Sequence, residues 1–334
     1  MAPVFTIGVT TYNRKAMLKE CLASILGQTF SNFEVVVGND YPEETLSAEL
    51  LSVDDPRIRF VNYPQNLGEV QNMNALLEMA SGRYFTWLAD DDMYAPSFLQ
   101  AMYTALTNFN FPPCIFSSYK TGSVFTEELC TISDEGQIME GRQFVHLYLS
   151  RKLKTIGCYG VYEREYLTEI GGFPNLGDSM YGDNLLAIRT ALLTRVAYIN
   201  VPLVFFRTHE QSFSYTSKDL DGYRRAQEAL CCECIKIFKD EKLSNFFYMH
   251  FFLLLKWCIN DFTNVILRAT RVTGNQITSY LNFVRKSLDL LKGSVFYWRL
   301  FVFSSLAASK LIFNLLKKRL KHYLGFRNRM DIPQ

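Results

Sequence analysis

Short apolar runs alternate with amphipathic segments through the first 110 residues, and this alternation constrains the fold more than any other feature of the sequence. The apolar runs are Thr6–Thr10, Glu34–Gly38, Ile58–Asn62 and Tyr84–Leu88. The intervening segments, with apolar residues at three- and four-residue spacing, are Lys15–Leu26, Glu43–Leu51 and Val70–Ala80. Strands that are buried on both faces of a parallel sheet read as continuous apolar runs. The pattern therefore predicts an α/β fold in which helices flank a mostly parallel, Rossmann-like sheet.

The middle of the chain continues this mixture of strands and helices, whereas the last third is helical. The predicted elements are helices over Gly141–Leu149 and Asp183–Leu193, and strands over Gly157–Tyr162, Val196–Ile199 and Leu203–Phe206. From about Gly222 onward, few Gly or Pro residues interrupt the helical pattern. We therefore place a boundary near Thr216–Leu220 and predict an α/β domain over residues 1–218 and a helical, basic C-terminal region over residues 219–334.

Charge is distributed unevenly along the chain, although the formal net charge is only +2. Residues 246–334 contain 14 Lys and Arg against three Asp, so the rest of the chain has a net charge of −9. Within this basic part, Lys310–Leu324 has apolar residues at helical spacing opposite a face rich in Lys and Arg. Such a helix binds an anionic membrane surface or packs on an acidic protein surface, and both interpretations stay open. No recognisable nucleic-acid-binding module accompanies the basic charge, so we expect no nucleic-acid partner.

Composition and cysteine usage set the expected location of the protein. No stretch of 18 uncharged apolar residues occurs, so we expect no membrane-spanning helix. The first residues, MAPVFTIGVTTYN, lack the basic start and apolar core of a signal peptide. The eight cysteines are scattered, as in a reduced cytosolic protein, and the cluster Cys231, Cys232 and Cys234 lacks a second ligand pair at zinc spacing. We therefore expect a cytoplasmic protein that associates peripherally with the cytoplasmic face of the membrane.

Polar residues follow each of the four apolar runs, where the predicted strands end. They are Thr11–Asn13, Asn39 with Asp40, Asn66–Gly68 and Asp90–Asp92. The carboxyl ends of parallel strands meet at one edge of a sheet, which is where such sheets bind ligands. Neither GxGxxG after the first run nor GxxxxGK[ST] anywhere is present, which argues against a dinucleotide dehydrogenase and a P-loop enzyme. The sequence therefore predicts a different kind of ligand site at this edge.

Three consecutive carboxylates, Asp90–Asp92, end the apolar run Phe85–Leu88. In water, three such groups repel one another by only about 1 kcal/mol per pair at 4 Å, so a solvated acidic turn is one interpretation. At the edge of a sheet the carboxylates are partly desolvated, and their stronger repulsion then requires a cation. Carboxylate oxygens suit Mg²⁺ or Mn²⁺, which bind a few carboxylates together with substrate phosphates. We therefore favour a metal–phosphate site over the solvated turn.

Six segments of the chain, in this order, resemble the family 2 glycosyltransferases of the GT-A fold. They are VTTYNR (Val9–Arg14), SILGQTFSNFEVVVGND (Ser24–Asp40), NLGEVQNMN (Asn66–Asn74), LADDD (Leu88–Asp92), GGFPNLGDSMYGDNLLAIR (Gly171–Arg189) and FRTHEQSFS (Phe206–Ser214). The resemblance covers roughly residues 4–215. A helical basic tail behind such a domain is similar to enzymes that build bacterial polysaccharides such as O-antigen or capsule.

The resemblance implies an inverting transfer of one sugar from a nucleotide diphospho-sugar to a hydroxyl of a glycan or lipid-linked glycan. It implies that Asp183 is the catalytic base and that Mn²⁺ or Mg²⁺ is held by Asp92 and His209, with Asp91 as the other candidate ligand. The residues expected to bind the nucleotide sugar are Thr11, Tyr12, Asn13, Asp40, Asn66, Asn74, Asp90, Asp91 and Arg207. The segment Gly157–Gly160 is expected to line the cleft between donor and acceptor.

Some of these residues also have simpler structural explanations. Asp40 would accept a hydrogen bond from a base such as uracil, which makes UDP the first nucleotide to test, but it would equally cap a helix beginning near Pro42. Asp183 would cap its own helix, and Asp178 is a rival for the role of base. The chain also departs from the family pattern, because Ala89 and Gly182 stand where relatives often have acidic residues.

Two alternatives to a glycosyltransferase stay open at this point. A nucleotidyltransferase also uses a metal and a parallel sheet, but it releases pyrophosphate rather than a nucleoside diphosphate. An inactive glycan- or membrane-binding partner of a polysaccharide assembly complex would explain the missing acidic residues at Ala89 and Gly182. The presence of Asp91, Asp92 and Asp183 argues against this last interpretation.

Overall fold

A mixed β-sheet forms the centre of the N-terminal part of the computed structural model, which describes residues 2–125, 136–177, 180–209, 219–240, 244–268, 274–292, 294, 296, 297 and 299–309. Its nine strands within these ranges are β1 Phe5–Thr11, β2 Phe33–Asn39, β3 Ile58–Asn62, β4 Tyr84–Ala89, β5 Met93–Tyr94, β6 Cys114–Gly122, β7 Gln137–Glu140, β8 Val161–Glu163 and β9 Arg195–Arg207. Their order is β3-β2-β1-β4-β8-β6-β9-β5, and β7 pairs with β9.

The first four strands are parallel and adjacent, as the alternating sequence pattern predicts. Strand β1 lies between β2 and β4, and β2 pairs with β3. Beyond β4 the sheet becomes mixed, because β8 is antiparallel to both β4 and β6, whereas β6 and β9 are parallel. The α/β class and the mostly parallel sheet of the prediction are confirmed.

Helices connect the strands and cover the sheet. In chain order they are α1 Lys15–Leu26, α2 Ala48–Leu51, α3 Glu69–Glu78, α4 Phe98–Asn108, α5 Gly141–Leu149, α6 Arg164–Glu169 and α7 Gly182–Leu192. A short 3-10 turn, Gly157–Tyr159, precedes β8. The buried face of α1 consists of residues at three- and four-residue spacing, namely Leu18, Cys21, Leu22 and Ile25. Full burial of one such aliphatic side chain contributes roughly 1.5–3 kcal/mol, so this spacing explains why α1 packs on the sheet.

Helix α3 approaches the sheet closely at β2, and a glycine permits the contact. A Cβ added to Gly38 would lie 2.1 Å from Oδ1 of Asn72, which is a buried residue of α3. The amide Nδ2 of Asn72 donates to the carbonyl oxygen of Gly38 at 3.0 Å. This contact fixes the N-terminal half of α3 beside the strand end that carries Asp40.

The predicted helix over Glu43–Leu51 is wrong for its first half, since α2 begins only at Ala48. Asparagine side chains hold the preceding backbone in another conformation. Asn39 Nδ2 donates to Glu44 O at 2.6 Å, and Asn62 Oδ1 accepts from Leu46 N at 2.8 Å. These side-chain bonds take backbone groups that a helix would need.

Two further predicted elements differ from the observed ones. The segment Gly157–Tyr162 contains a 3-10 turn and only then a strand. The strands predicted over Val196–Ile199 and Leu203–Phe206 are one continuous strand, β9. Pro202 lacks a backbone donor, yet β9 continues through it, and the pairing of β9 with β6 shifts its register around Ser118.

The chain divides into two compact units, residues 1–216 and 217–334, and the division lies two residues before the predicted boundary. The second unit contains the helices α8 Leu220–Asp240, α9 Ser244–Arg268 and α10 Gly274–Leu290. Its core includes Ala226, Leu230, Phe238, Leu254 and Ile259. No helix in the described part of the chain is long and apolar enough to cross a membrane. The predicted amphipathic segment Lys310–Leu324 lies outside the described residues.

Candidate functional site

Strands β1, β2 and β4 end at the same edge of the sheet and bring the following residues together. Their pairing aligns the last residues of the three strands. The backbone N–H of Asp40 donates to Thr11 O at 3.0 Å, and the N–H of Asp90 donates to Thr10 O at 3.2 Å. The prediction that these strand ends share one edge is therefore confirmed.

Asp90 is completely buried at this edge. Its Oδ2 accepts a hydrogen bond from Thr11 Oγ1 at 2.6 Å, and its Oδ1 lies 2.7 Å from Nη2 of Arg14. Desolvation raises the pKa of Asp90 to about 6, although the positive charge of Arg14 opposes this rise. Thr11 and Asp90 were predicted to contact the nucleotide, and in this structure their polar groups bond to each other.

Asp91 is the carboxylate of the triplet that reaches the open side of the edge. Its Oδ2 lies 2.7 Å from Nη1 of Arg14 and 2.9 Å from Nε2 of His209, and the side chains of Asp91 and His209 are each 14% exposed. The guanidinium of Arg14 therefore bridges Asp90 and Asp91. The sequence prediction assigned no role to Arg14, although the residue closes the segment Val9–Arg14 that carries the family resemblance.

Asp92 points in the other direction and is enclosed by protein. The hydroxyl of Tyr159 donates to Oδ2 of Asp92, and the backbone N–H of Arg207 donates to Oδ1 at 2.8 Å. Desolvation, followed by the nearby charge of Asp91, raises the pKa of Asp92. Both oxygens of Asp92 are thus already bonded to protein donors.

Asp92 and His209 were predicted to hold the metal together, but the structure does not bring them into contact. His209 lies against Asp91, and Asp92 is bonded to Tyr159 and Arg207. Across the described ranges, no group of three or more His, Cys, Asp and Glu side chains is arranged to hold a metal ion. Two protein ligands are nevertheless sufficient for Mg²⁺ or Mn²⁺ when phosphate oxygens of a substrate complete the shell. The hard oxygen of Asp91, next to an imidazole nitrogen, is a donor set that fits such an ion.

Arg207 was predicted to bind the donor diphosphate, but its guanidinium is already paired. Its Nη2 lies 2.6 Å from Oε2 of Glu20 and 3.2 Å from Sδ of Met93. The side chain of Arg207 is 13% exposed, whereas that of Glu20 is 57% exposed. The contact of Arg207 with the carboxylate triplet is made by its backbone N–H rather than by its side chain.

Asp40 lies at the end of β2 and is nearly buried. Its Oδ1 accepts from Leu67 N at 2.6 Å and its Oδ2 from Gly68 N at 2.9 Å. The alternative role of Asp40 as a helix cap near Pro42 is wrong, because Ser47 caps α2 instead. An ionised carboxylate has about four acceptor positions, so a base N–H still has room to bind Asp40.

Asn66 and Asn74 both make bonds that shape the protein itself. Asn66 Oδ1 accepts from Gly68 N at 2.7 Å, which forms a tight turn before α3. Asn74 Nδ2 donates to Phe173 O at 3.0 Å, and Asn74 Oδ1 accepts from Phe173 N at 2.8 Å. Asn74 therefore links α3 to the turn at Gly171–Pro174 through both its amide nitrogen and its amide oxygen.

Tyr12 and Asn13 follow β1 and are both exposed. Asn13 adopts a left-handed backbone conformation with φ of 52°. The ring of Tyr12 is 48% exposed and packs edge-to-face on Tyr41, with 5.3 Å between the ring centroids. This exposed aromatic pair next to Asp40 provides an apolar surface on which a nucleotide base could stack.

Asp183 lies in the first turn of α7 and is partly exposed. Desolvation raises the pKa of Asp183 to about 6; the backbone N–H of Asn184 opposes this rise and the carboxylate of Glu69 adds to it. A base with a pKa near 6 is ionised at neutral pH and can accept a proton, as general base catalysis requires. The rival residue Asp178 lies outside the described residues.

The 3-10 turn Gly157–Tyr159 connects Asp183 with the carboxylate triplet. Gly157, at one end of the turn, packs directly against the backbone of Asp183. Tyr159, at the other end, donates its hydroxyl to Asp92. Cys158 lies between these two residues in the chain. Burial makes the largest contribution to the raised pKa of its thiol, and the negative charges of Asp183 and Asp92 each raise it further. The sequence suggested that this segment lines a cleft, but it did not identify Tyr159 as a partner of Asp92.

Comparison with known protein families identifies the N-terminal part of the chain. Residues 6–169 match the family model described as Glycosyl transferase family 2. An uncharacterised glycosyltransferase of Haemophilus influenzae is 35% identical over 106 residues, 31% of this chain and 33% of its own length. A Campylobacter jejuni protein named GalNAc(5)-diNAcBac-PP-undecaprenol beta-1,3-glucosyltransferase is 34% identical over 93 residues, 27% of this chain and 30% of its own length. The chain thus spans about a third of the length of these relatives.

Solved structures show the same fold. S. aureus TarS 1-349 in complex with UDP-GlcNAc has a TM-score of 0.64 at 15% identity, over 96% of this chain and 92% of that one. The mannosyltransferase PcManGT of Pyrobaculum calidifontis, in complex with GDP-Man and Mn²⁺, has a TM-score of 0.51 at 18% identity, over 95% of this chain and 87% of that one. At these identities the likeness concerns the fold, which is the GT-A fold expected from the sequence. Residues 6–169 of this chain therefore match glycosyltransferase family 2.

Proposed function

We propose that the protein transfers a sugar, with inversion, from a nucleotide diphospho-sugar to a hydroxyl of a glycan or lipid-linked glycan during surface polysaccharide synthesis. One observation carries the proposal: the turn Gly157–Tyr159 contacts both Asp183 and the carboxylate triplet at the sheet edge. The pKa of Asp183 is about 6, which suits a general base at neutral pH. A transferase needs both parts side by side, since one holds the leaving diphosphate and the other takes the acceptor proton.

The donor side of the proposed site is the edge formed by β1, β2 and β4. Asp40 and the exposed ring of Tyr12 are suited to a base, and UDP is the first candidate because an ionised carboxylate only accepts hydrogen bonds. Two proteins of the same fold have structures in complex with UDP-GlcNAc and GDP-Man, respectively. These complexes support a nucleotide sugar as the donor, and the choice of nucleotide is tested below.

A divalent cation, Mn²⁺ or Mg²⁺, would be held by Asp91 and His209. The geometry favours this pair over the predicted pair Asp92 and His209, because Asp91 and His209 already approach within 2.9 Å at a partly exposed position. When bound, the ion would supply positive charge that stabilises the diphosphate leaving group. Arg14 contributes a fixed positive charge at the same place and orients the carboxylate of Asp91.

The proposed role of Asp183 is to accept the proton of the attacking hydroxyl. With a pKa of about 6 the carboxyl is largely ionised at pH 7, and its basicity exceeds that of an ordinary aspartate. The backbone of α7 and the contact with Gly157 hold its position. The acidic residue missing at Gly182 is not needed for this role, because one carboxylate is sufficient to remove one proton.

The names of two relatives support the proposed class of acceptor. The name of the Campylobacter relative describes an acceptor linked through a diphosphate to a lipid, and an Escherichia coli relative, 30% identical over 97 residues, 28% of this chain and 35% of its own length, is named a putative colanic acid biosynthesis glycosyl transferase. These names support a glycan or lipid-linked glycan as the acceptor. We further propose that the protein works at the cytoplasmic face of a membrane, to which the basic C-terminal region would bind.

Binding and product analysis together test the proposal. Thermal unfolding of the full chain is measured with UDP, GDP, CDP and dTDP, each with and without Mn²⁺. At a hundredfold excess over Kd, a ligand stabilises the folded state by about 2.7 kcal/mol, which raises the midpoint visibly. We expect a manganese-dependent shift with one nucleoside diphosphate, and release of that diphosphate during turnover of its sugar derivative.

The same experiment distinguishes the alternatives. Release of pyrophosphate from a nucleoside triphosphate would replace this proposal by a nucleotidyltransferase. Metal-dependent nucleotide binding without hydrolysis or transfer would favour an inactive binding partner. The features that favour the inactive partner are Ala89 and Gly182, which stand where relatives often have acidic residues.

A further inference from the structure

We propose that the acceptor carries an anionic group and that the loop 150–156 binds this group through Arg151, Lys152 and Lys154. The inference rests on the proposed function and specifies its acceptor class. The anionic group is a phosphate or a carboxylate that forms a covalent part of the acceptor, either in its diphosphate linkage or in an acidic sugar.

The loop is tied at both of its ends to the residues around Asp183. Before the loop, Tyr148 in α5 accepts a hydrogen bond from Asn184 Nδ2 at 2.6 Å. After the loop, Gly157 packs on the backbone of Asp183 so closely that a Cβ would lie 1.8 Å from its carbonyl oxygen. The segment between Tyr148 and Gly157 contains only eight residues, so it cannot extend far from Asp183 and Asn184.

Hydrogen bonds give this loop a defined conformation. The end of α5 continues into backbone bonds from Arg151 N to Tyr148 O at 2.9 Å and from Lys152 N to Leu147 O at 2.8 Å. Farther along, the hydroxyl of Tyr198 in β9 donates to Lys154 O at 3.2 Å. The loop therefore presents its side chains from an ordered backbone.

Its three cationic side chains are exposed and lack acidic partners among the ion pairs of the described residues. The ammonium group of Lys154 lies 4.4 Å from the centroid of the Tyr119 ring. Burial makes the largest contribution to the raised pKa of Tyr119; the charge of Asp183 raises this pKa further, and the charge of Arg151 lowers it. Tyr119 therefore contacts the basic loop through Lys154 and is influenced by the charges of both Asp183 and Arg151. Three cations without ion-pair partners in the described part of the chain, on a loop whose flanking residues Tyr148 and Gly157 contact Asn184 and Asp183, are suited to an anionic acceptor.

The loop is placed on the acceptor side rather than on the donor side of the site. The donor diphosphate is assigned to the edge that carries Asp91, and the turn Gly157–Tyr159 separates this edge from Asp183. The loop precedes this turn and is bonded to α5 and β9, and α5 in turn is bonded to the start of α7 through Tyr148. A cation there reaches the acceptor without competing for the donor phosphates.

The test uses three probes with the same decyl chain: decyl glucoside, decyl glucuronide and decyl diphospho-glucose. Their affinities for the full-length protein are measured by calorimetry below their micelle concentrations, in the presence of UDP and Mn²⁺. We expect at least one anionic probe to bind tenfold more tightly than the neutral glucoside. Preference for the glucuronide identifies an acidic sugar as the source of the charge, and preference for the diphosphate probe identifies the lipid linkage.

The variant Arg151→Gln/Lys152→Gln/Lys154→Gln should lose this preference and retain the manganese-dependent UDP shift. Removal of three charges elsewhere, in Lys317→Gln/Lys318→Gln/Lys321→Gln, controls for attraction to the basic C-terminal region and should leave the preference intact. Equal affinity for all three probes, or a preference that survives in the loop variant, overturns the inference. If anionic preference persists while no sugar is transferred, the proposed function fails and the binding role of the loop stands.

Discussion

Gly157 packs against the backbone of Asp183 with no room for a side chain, since an added Cβ would lie 1.8 Å from the carbonyl oxygen and 2.7 Å from the carbonyl carbon. Backbone atoms cannot withdraw from such a contact as the end of a flexible side chain can. This contact fixes the position of Asp183 relative to the turn Gly157–Tyr159. Because Tyr159 in the same turn is bonded to Asp92, the position of Asp183 is also fixed relative to Asp92.

Gly157→Ala should therefore abolish most transfer activity by displacing the first turn of α7. We expect kcat to fall at least a hundredfold, because misplacement of a catalytic group by about 1 Å costs on that order. Gly274→Ala is the matched control, as a Cβ there meets nothing within 4 Å. Transfer rates and unfolding midpoints are measured for both variants, and a Gly157→Ala enzyme with full activity would contradict the proposed position of the base.

Asp183→Asn should remove transfer and leave donor binding nearly unchanged. The amide keeps the shape of the side chain and cannot take a proton, so we expect kcat to fall by about 10²–10⁴-fold. Asp54→Asn removes one carboxylate at an exposed position far from Asp183 in the sequence, and it serves as the control. Calorimetric titration with UDP and Mn²⁺ checks the binding, and retained turnover in the variant would exclude Asp183 as the base.

Transfer should decline as the pH falls below 6. The pKa of Asp183 is raised to about 6, so the carboxyl is ionised above this pH and protonated below it, and only the ionised form accepts a proton. We expect kcat to fall about fivefold between pH 6 and pH 5, because the ionised fraction of a group with a pKa of about 6 falls by that factor. Because the pKa of Asp90 is also raised to about 6, UDP affinity is measured over the same range. A fall in affinity with constant kcat would assign the pH effect to the donor side.

The elements that position the site could be predicted because local periodicity determines them. The apolar runs at β1–β4 and the three- and four-residue spacing in α1 describe how each segment packs on a neighbour. The failure at Glu43–Leu51 has a different origin. Asn39 and Asn62, which lie in neighbouring strands, bind the backbone of that segment, and no local pattern contains this information.

The side-chain partners at the site could not be predicted for the same reason. The sequence shows three identical residues at Asp90–Asp92 and does not distinguish their roles, whereas in the structure each of the three carboxyl groups has different hydrogen-bond partners. Arg14 lies 77 positions from Asp91 and Tyr159 lies 67 positions from Asp92. Family resemblance placed the triplet at the site, but only the packing of β1, β9 and the 3-10 turn decides that Asp91 faces outward and Asp92 inward.

Asp91→Asn and His209→Ala should each raise the Mn²⁺ concentration that is needed for the UDP-dependent shift. Each change removes one of the two proposed ligands, and we expect the half-maximal Mn²⁺ concentration to increase at least tenfold. His146→Ala, a histidine on α5, is the control for loss of an imidazole. Removal of metal with EDTA should abolish the shift in the unmodified protein. An unchanged Mn²⁺ requirement in both variants would direct the search for ligands away from this pair.

Tyr159→Phe should weaken donor binding and destabilise the protein, because it leaves the buried carboxylate of Asp92 without its hydroxyl donor. Leaving a buried acceptor without its hydrogen-bond donor costs about 1–3 kcal/mol, which we expect to see in the free energy of unfolding. Tyr166→Phe is the matched control, since that hydroxyl also donates to a protein oxygen, Thr190 O at 2.6 Å, and contacts no member of the triplet. Both variants should lose stability in chemical denaturation, but only Tyr159→Phe should weaken UDP affinity. Equal UDP affinity in the two variants would mean that the orientation of Asp92 does not influence the donor edge.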